Sequence, residues 1–442
     1  MAGAAEQGAR RAGIVVTGSE VLGGRTLDRN SGFLVQRLEQ VGVRTDFTVV
    51  VGDDRAPMRR ALEFLIAEGV DLICTSGGLG PTHDDITVEV VAETLGLPLT
   101  VDESMREHIV GIVRRFASRL AISAEAMEAG AAKQATLPQG GTPLAPVGTA
   151  PGVLVRGPAG GPLVCVLPGP PRELQPMWEA ATGTAPLADL LSGGVAYGTR
   201  SLRFFGVPES MVARHFDEVS GVVRDEGHDP GAVDVTICAR FAEVEVFLRY
   251  PPEAAAAADR WTALLAEREP RALFTVHGQS VDQVIGQELV GAGETVAAAE
   301  SCTTGLIAAR LTEHGGSSAF FRGGVVAYDD DVKTALLGVA EETLARVGAV
   351  SEEVAIAMAQ GVREAVGADW GVSSTGVAGP DGGTAEKPVG LVHVAVAGPG
   401  GIVREAHRRF PGDRESVRDR AAAAALHLLR EELQGRAGRR AA

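Results

Sequence analysis

At 442 residues the chain is too long for one typical domain, and a hydrophobic fraction of 45% suffices for ordinary buried cores. A net charge of −16 and an aromatic content of 4% argue against a nucleic-acid surface, which needs a positive field and stacking rings. The leading MAGAAEQGARRAG has no apolar signal core and no stretch is apolar enough to span a bilayer, so a reducing cytoplasm is the expected location, without membrane partners.

From Ala12 to about Leu97, short β-branched runs alternate with amphipathic stretches. Strands are predicted at Gly13–Thr17, Thr45–Val51 and Asp71–Thr75, with helices at Gly32–Val41, Arg55–Ala67 and Asp85–Thr94. This alternation implies a parallel sheet with crossover helices. Two short strands around Val153 and Val164 follow a Gly/Pro-rich stretch, and LPGPPRELQPMW closes the segment near Trp178. Residues 179–278 read as a small α+β unit with strands at Arg200–Gly206, Val233–Ala239 and Glu243–Tyr250 and an alanine-rich helix at Pro252–Glu267. They carry no paired carboxylates, histidine cluster or Gly-rich loop, and so no visible chemistry.

From Ser280 the strand–helix alternation returns. Helices are predicted at Val281–Val290, Leu306–Glu313, Val332–Leu337, Glu352–Val366 and Arg414–Leu433. Strands are predicted at Glu294–Ala299, Gly324–Tyr328, Gly371–Thr375 and Leu391–Ala397. The expected fold class is α/β: two α/β domains (1–178 and 279–442) with mainly parallel sheets, joined by a small α+β domain (179–278). Cys74, Cys165 and Cys238 sit in apolar runs and are expected to be buried hydrophobes, with no disulfide framework.

The strongest chemical signal is AAAESCTTG, between a strand and a helix. Ligands of open α/β sheets bind at the carboxyl ends of strands, where Ser301 falls. The following helix offers N–H groups and a positive dipole end for an oxyanion or phosphate. On pattern alone, Ser301 and Thr303 read first as N-caps of that helix. Cys302 is a rival nucleophile, but no cation or histidine pairs with it in the sequence. In GGVVAYDDDVKTALLG, Tyr328 ends a strand and Lys333 begins a helix. The only lysines are Lys133, Lys333 and Lys387, every other basic residue being an arginine, which cannot lose its proton near neutral pH. A desolvated lysine can serve a serine as base where no histidine is at hand. A solvated lysine paired with Asp329, Asp330 or Asp331 is the alternative.

A third element is the loop in SSTGVAGPDGGTAEKPVG, whose Gly376, Gly379, Gly382 and Gly383 let the backbone approach a ligand, with Lys387 inside it. Arg414 and Arg418 of FPGDRESVR add phosphate donors at a helix start. In the N-terminal segment, TGSEVLGGRTLDRN supplies Glu20, Asp28 and Asn30, the sole asparagine. TSGGLGPTHDD supplies Gly77, Gly78 and Gly80 before Asp84 and Asp85. Such Gly-rich strand–helix turns cradle phosphates, and the two aspartates suit a divalent cation or a helix cap. A nucleotide or pterin-like ligand is the favoured reading.

These motifs, in this order, resemble the CinA family from about Ala12 to Leu433. The N-terminal part resembles a molybdopterin-binding domain of the MoaB/MogA type, through Gly18, Glu20, Gly24, Asp28, Asn30, GGLGPTHDD, VGTAPG and LPGPPRE. The C-terminal part resembles nicotinamide-nucleotide amidases through ESCTTG, Tyr328, Lys333, TGVAGPDGG, KPVG and GDRESVR. The resemblance implies conversion of nicotinamide mononucleotide to nicotinate mononucleotide and ammonia, with Ser301 as nucleophile and Lys333 and Tyr328 beside it. It implies substrate contacts at Thr303, Thr375, Gly376, Gly379, Gly382, Gly383, Lys387 and Arg414. No cofactor is expected for the amidase, a pyridine nucleotide is the expected small-molecule partner, and a homo-oligomer is the expected assembly. For the N-terminal domain it implies ligand contacts at Glu20, Asp28, Asn30, Gly77, Gly78 and Gly80; some members of the family also cleave ADP-ribose with a divalent metal, for which Asp84 and Asp85 are the candidate ligands in this sequence. A pterin- or nucleotide-binding regulator without turnover is the competing function.

Three departures carry physical consequences. Thr304 stands where the family motif ESCTGG has a glycine; a β-branched residue disfavours positive φ, so a helical turn or a shifted loop is expected. Ala145-Pro146 replaces an asparagine-bearing stretch, which argues against pyrophosphatase activity. Asp329-Asp330 replaces Ser-Asn and would favour the charged form of Lys333.

Overall fold

The computed structural model describes residues 10–120, 123–157, 160–192, 197–240 and 242–441. The chain forms two compact units, Met1–Gly198 with Pro251–Glu253, and Thr199–Tyr250 with Ala254–Ala442.

In the first unit, strands β1 (Arg10–Thr17), β2 (Val43–Val51) and β3 (Leu72–Ser76) precede a small antiparallel pair, β4 (Leu99–Val101) and β5 (Thr136–Pro138). Then come β6 (Thr142–Leu144), β7 (Gly152–Arg156) and β8 (Leu163–Leu167). The six-stranded sheet has the order β2-β1-β3-β8-β7-β6. Its first four strands are parallel, and the last two are antiparallel. Helices cover both faces, so β3 (LICTS) and β8 (LVCVL) are buried throughout and read as unbroken apolar runs. Alternate residues divide between two cores. Ile14, Val16, Leu72 and Cys74 pack towards Trp178, while Val15, Ile73 and Val164 pack towards Leu62 and Leu65.

The second unit opens with β9 (Gly198–Phe205), β10 (Asp234–Arg240), β11 (Glu243–Tyr250) and β12 (Leu273–Thr275), in the order β10-β11-β9-β12. Helices Glu209–Asp225 and Ala255–Arg268 close its core around Phe204, Leu248 and Trp261. Cys238, expected to be buried, is exposed, because β10 is the edge strand and presents charged neighbours. No cysteine is in a disulfide.

The five-stranded sheet uses β13 (Val296–Glu300), β14 (Phe321–Val326), β15 (Trp370–Gly376), β16 (Leu391–Ala397) and β17 (Val403–Arg409), in the order β14-β13-β15-β16-β17. β13 is flanked by β14 and β15 and parallel to both, so three strands end at the same edge. β16 and β17 run antiparallel. Helices Val281–Ala292 and Arg414–Ala441 pack on one face and Glu352–Val366 on the other. Gly371 of β15 makes the last contact possible, since a Cβ there would lie 2.0 Å from the carbonyl oxygen of Ala359 on that helix.

The final helix is tied to β11 by one polar bond. His427 is fully buried, stacked on Phe205 at 3.8 Å and edge-on to Phe274, and its Nε2 lies 2.9 Å from Glu243 Oε1. Burial pushes this imidazole down to about 4 from 6.5, although Glu243 pulls the other way. Between those values the unfolded chain holds a proton that the folded chain does not, so stability falls as pH drops from 6.5 towards 4. Urea unfolding should show the second unit losing about 3 kcal/mol more than a His427→Gln variant over that window. Parallel pH profiles for the two proteins would refute this assignment.

Candidate active site

The shared carboxyl edge of β14, β13 and β15 collects the C-terminal motifs. Ser301 follows β13 directly, Tyr328 and Lys333 follow β14, and Thr375 and Gly376 end β15. Together with Cys302, Asp330, Ala349, Val350, Val377, Ala378, Gly379, Asp381 and Arg414, they line one cavity of about 240 Å³. The structure thus brings together Ser301, Lys333, Tyr328, Thr375, Gly376, Gly379 and Arg414. Thr303, Gly382, Gly383 and Lys387 lie off this lining.

The loop between β13 and helix Leu306–Leu311 is built around Glu300. This buried side chain accepts from Thr303 Oγ1 (2.6 Å), Gly305 N (2.8 Å) and Ile307 N (3.1 Å) through Oε2, and from Ala308 N (2.9 Å) through Oε1. The helix-start N–H groups expected to hold an oxyanion are therefore already taken, because a carboxylate on the preceding strand satisfies them. Thr303 is fully buried, its side chain bonded to Glu300 and Ser374, and that side chain neither caps the helix nor meets the cavity. No side-chain cap is made by Ser301 either, and its backbone N–H donates to Ser374 O at 3.0 Å.

Thr304 adopts φ +46°, contrary to the helical or shifted loop expected of a β-branched residue. Arg418 supplies the reason. Its guanidinium donates to Cys302 O (3.2 Å), Thr303 O (3.1 Å) and Thr304 Oγ1 (2.5 Å), holding a conformation that costs about 1–2 kcal/mol.

Lys333 is 1% exposed, so it is not the solvated helix lysine of the alternative reading. Its Nζ donates to Tyr328 O and to Asp330 Oδ1, both at 3.1 Å. Asp329 caps the helix Asp330–Leu337 by accepting from Asp331 N, which leaves Asp330 as the counter-ion. Tyr328 lies two residues beyond the strand rather than ending it, and its exposed hydroxyl accepts from Arg414 Nη2 at 3.2 Å. Arg414 also donates to Gly379 O at 2.8 Å and so bridges two walls of the cavity. Lys387 points its ammonium at the Val347 carbonyl and closes a turn with Thr384, which fixes the glycine loop from outside. Cys302 packs in the core, and burial pushes its thiol up to about 12 despite a bond to Ser374.

Sequence reasoning missed three supports. Glu300 stood in the ESCTTG motif just after the predicted strand, yet its carboxylate was given no role, although an acid ending an alanine run was a visible signal. Asp381 lies in the Gly-rich loop already singled out, where only the glycines and Lys387 were read as contacts, and the Ala349–Val350 pair comes from a loop with no chemical pattern of its own.

In the first unit, Asn30 sits buried at the carboxyl ends of β3 and β8, donating to Ser76 Oγ (2.8 Å) and Gly169 O (2.6 Å) while its Oδ1 has no partner. Asp28 accepts from Asn30 N and Ser31 N, an N-terminal brace for helix Asn30–Gln40. Glu20 is exposed on the short helix Ser19–Leu22. Gly77 and Gly78 have φ of +110° and +68°, and a Cβ on Gly78 would lie 2.2 Å from Thr87 Oγ1. Gly80 fits against Asp85, whose Oδ2 accepts from Thr82 N at 2.9 Å. The Thr82 hydroxyl also bonds Asp84 and holds its carboxyl below the usual range. Lys133 donates to Thr82 O, tying a distant helix to this loop. Asp84 and Asp85 offer two oxygen ligands, which suits a magnesium ion that keeps several waters; among the described residues no third metal-binding side chain joins them.

Residues 278–433 match the family described as "CinA C-terminal domain", and residues 13–185 match "Probable molybdopterin binding domain". A CinA-like protein of Mycolicibacterium vanbaalenii is 46% identical over 426 residues, covering 96% of this chain and 99% of that protein. A CinA-like protein of Mycobacterium tuberculosis is 43% identical over 429 residues, covering 96% and 98%. The solved competence/damage inducible protein CihA of Agrobacterium tumefaciens is 39% identical, covers 36% of this chain and 99% of its own, and has a TM-score of 0.34. No helix among the described residues is long and apolar enough to cross a membrane.

With its thiol pushed up to about 12, Cys302 should resist iodoacetamide at pH 8 in the folded protein, while exposed Cys238 alkylates readily. Peptide mass spectrometry reads both sites at once. Rapid labelling of Cys302 would make it a competent nucleophile after all.

Proposed function

The chain belongs to the CinA family, and from that premise we propose that its C-terminal domain hydrolyses the amide of a nicotinamide nucleotide through Ser301 and Lys333. The observation that carries this reading is that a buried lysine and a serine at a strand end line one cavity, while the neighbouring thiol is protonated at neutral pH.

In this scheme the neutral amine of Lys333 takes the Ser301 hydroxyl proton as Oγ bonds to the carboxamide carbon. Collapse of the tetrahedral adduct breaks the C–N bond, the departing nitrogen takes that proton, and ammonia leaves. Water then attacks the ester, and nicotinate mononucleotide and the Ser301 hydroxyl are released. The pyridinium charge of the substrate draws electrons from the carboxamide and eases attack on its carbon. With the helix N–H groups occupied, the N–H of Cys302, next to the nucleophile, is the oxyanion donor, typically worth about 3 kcal/mol. Arg414 supplies a positive group for the phosphate at the rim.

For the N-terminal domain we propose a phosphate-bearing ligand, ADP-ribose with a divalent cation, held by the Gly77–Gly80 turn, with Asp84 and Asp85 as metal ligands. The metal would neutralise pyrophosphate charge, and the buried unpartnered Oδ1 of Asn30 would accept from the ligand. A regulator that binds a nucleotide or pterin without turnover is the competing reading, favoured by Ala145-Pro146.

Purified protein given nicotinamide mononucleotide should release ammonia. Ser301→Ala should cost about 10³-fold or more in kcat, and so should Lys333→Arg, with the double variant hardly worse than either, as for members of one catalytic unit. Lys333→Met, which needs no buried charge, controls for folding. An active Lys333→Arg or Lys333→Met protein would remove the base. Calorimetry with ADP-ribose and Mg²⁺ should give heat that an Asp84→Asn/Asp85→Asn variant lacks; heat in neither protein would leave the N-terminal proposal without support.

A further inference from the structure

We propose that His393, Glu405 and His407 form a binding site for a borderline divalent transition metal such as zinc, on the face of the five-stranded sheet that carries helix Glu352–Val366. The argument begins with register. His393 of β16 lies directly opposite His407 of β17, and Glu405 lies opposite Ala395. Residues two apart on a strand share a face, so both imidazoles and the carboxylate converge on one four-residue patch. Its fourth member, Ala395, is too small to fill the space and packs instead against Ala355 and Ala359.

The distances fit. Glu405 Oε1 lies 2.7 Å from His393 Nδ1 and 3.5 Å from His407 Nδ1. One ligand atom from each residue lies within 4.8 Å of the others. A tetrahedral ion with bonds near 2.05 Å separates its ligand atoms by about 3.3 Å, so small side-chain adjustments suffice. Two imidazoles with one carboxylate suit zinc, cobalt or nickel better than magnesium or calcium. The side chains of His393 and Glu405 are 12% and 9% exposed and held by the sheet, whereas His407 is 61% exposed. The ion therefore has two fixed ligands, a rim ligand on an edge strand and an entry path that leaves a fourth position for water.

A second cluster, Asp282 with Glu313 and His314, has comparable spacing but a poorer environment. Arg310 already lies 3.3 Å from Asp282 Oδ1, and its fixed positive charge opposes a dication. Among the described residues no such cation bonds the Glu405 carboxylate, whose partners are the two imidazoles. Glu353 lies near enough that His393 is among the charges lowering its carboxyl, after its own backbone N–H and Arg346. Among the described residues, this is where a transition metal meets the fewest objections.

The test uses the full-length, untagged protein, stripped by chelator and titrated with Zn²⁺ and, separately, Co²⁺ in millimolar Mg²⁺ to saturate sites made only of carboxylates. One tight Zn²⁺ per chain is expected, with a visible Co²⁺ absorption band of low coordination number. His393→Ala/His407→Ala should abolish the band and weaken Zn²⁺ by more than the roughly 100-fold that loss of an outer partner costs. Glu405→Gln, which keeps size and hydrogen bonding, should weaken it as well, and Asp282→Asn should not. Identical titrations for wild type and the histidine variant, a band that follows Asp282 instead, or no Zn²⁺ bound by the wild type would each overturn the proposal.

Discussion

Glu300 ends β13, an interior strand of the C-terminal sheet, with its carboxylate inside the protein, accepting four hydrogen bonds from the turn and the first helical residues beyond it. A carboxylate out of water is costly unless its lone pairs are filled, and a helix start has unpaired N–H groups to fill them. Each solves the other's problem within nine residues of chain. Ser301 has little freedom as a result, since it sits between a strand hydrogen-bonded on both sides and a turn folded over that acid. Arg418 completes the clamp from the final helix by bonding the turn's outer carbonyls. The strained Thr304 conformation survives because both ends of the turn are held.

The charge pattern of the cavity follows from the same economy of partners. Lys333 is buried on a short helix, with one carbonyl and one carboxylate as acceptors. Arg414 bonds a hydroxyl and a carbonyl, so its positive charge is not cancelled by a direct carboxylate partner. Asp330 and Asp381 add negative charge to the same walls. A cavity with both signs suits a zwitterionic occupant, and a nucleotide with a cationic ring and an anionic phosphate is one.

How much of this was legible in the sequence varies with the kind of signal. β3 and β8, Ser301 and Lys333 stood out because burial on two faces and a rare lysine leave marks in composition. The β17 run VREAHRR shows no apolar alternation, since an edge strand is exposed and charged, and so it went unread as a strand. Cys238 misled for the same reason: β-branched neighbours indicate a strand, but not whether it lies at an edge. Thr303 had two local readings, ligand contact and cap, and tertiary structure supplied a third, as a partner of Glu300. That carboxylate's role needs the positions of four donors at once, which no spacing rule encodes.

Arg414 and Arg418 stand more than a hundred residues after Ser301 in the chain, yet one bridges the cavity walls and the other secures the nucleophile's turn. A ribosome making this protein therefore finishes the site last. Strands β13, β14 and β15 are already synthesised while the turn still lacks its guanidinium. A nascent chain halted before the final helix would carry Ser301, Lys333 and Glu300 but leave Thr304 without the bonds that hold it. Synthesis of the helix that carries both arginines is thus built into the geometry of the site.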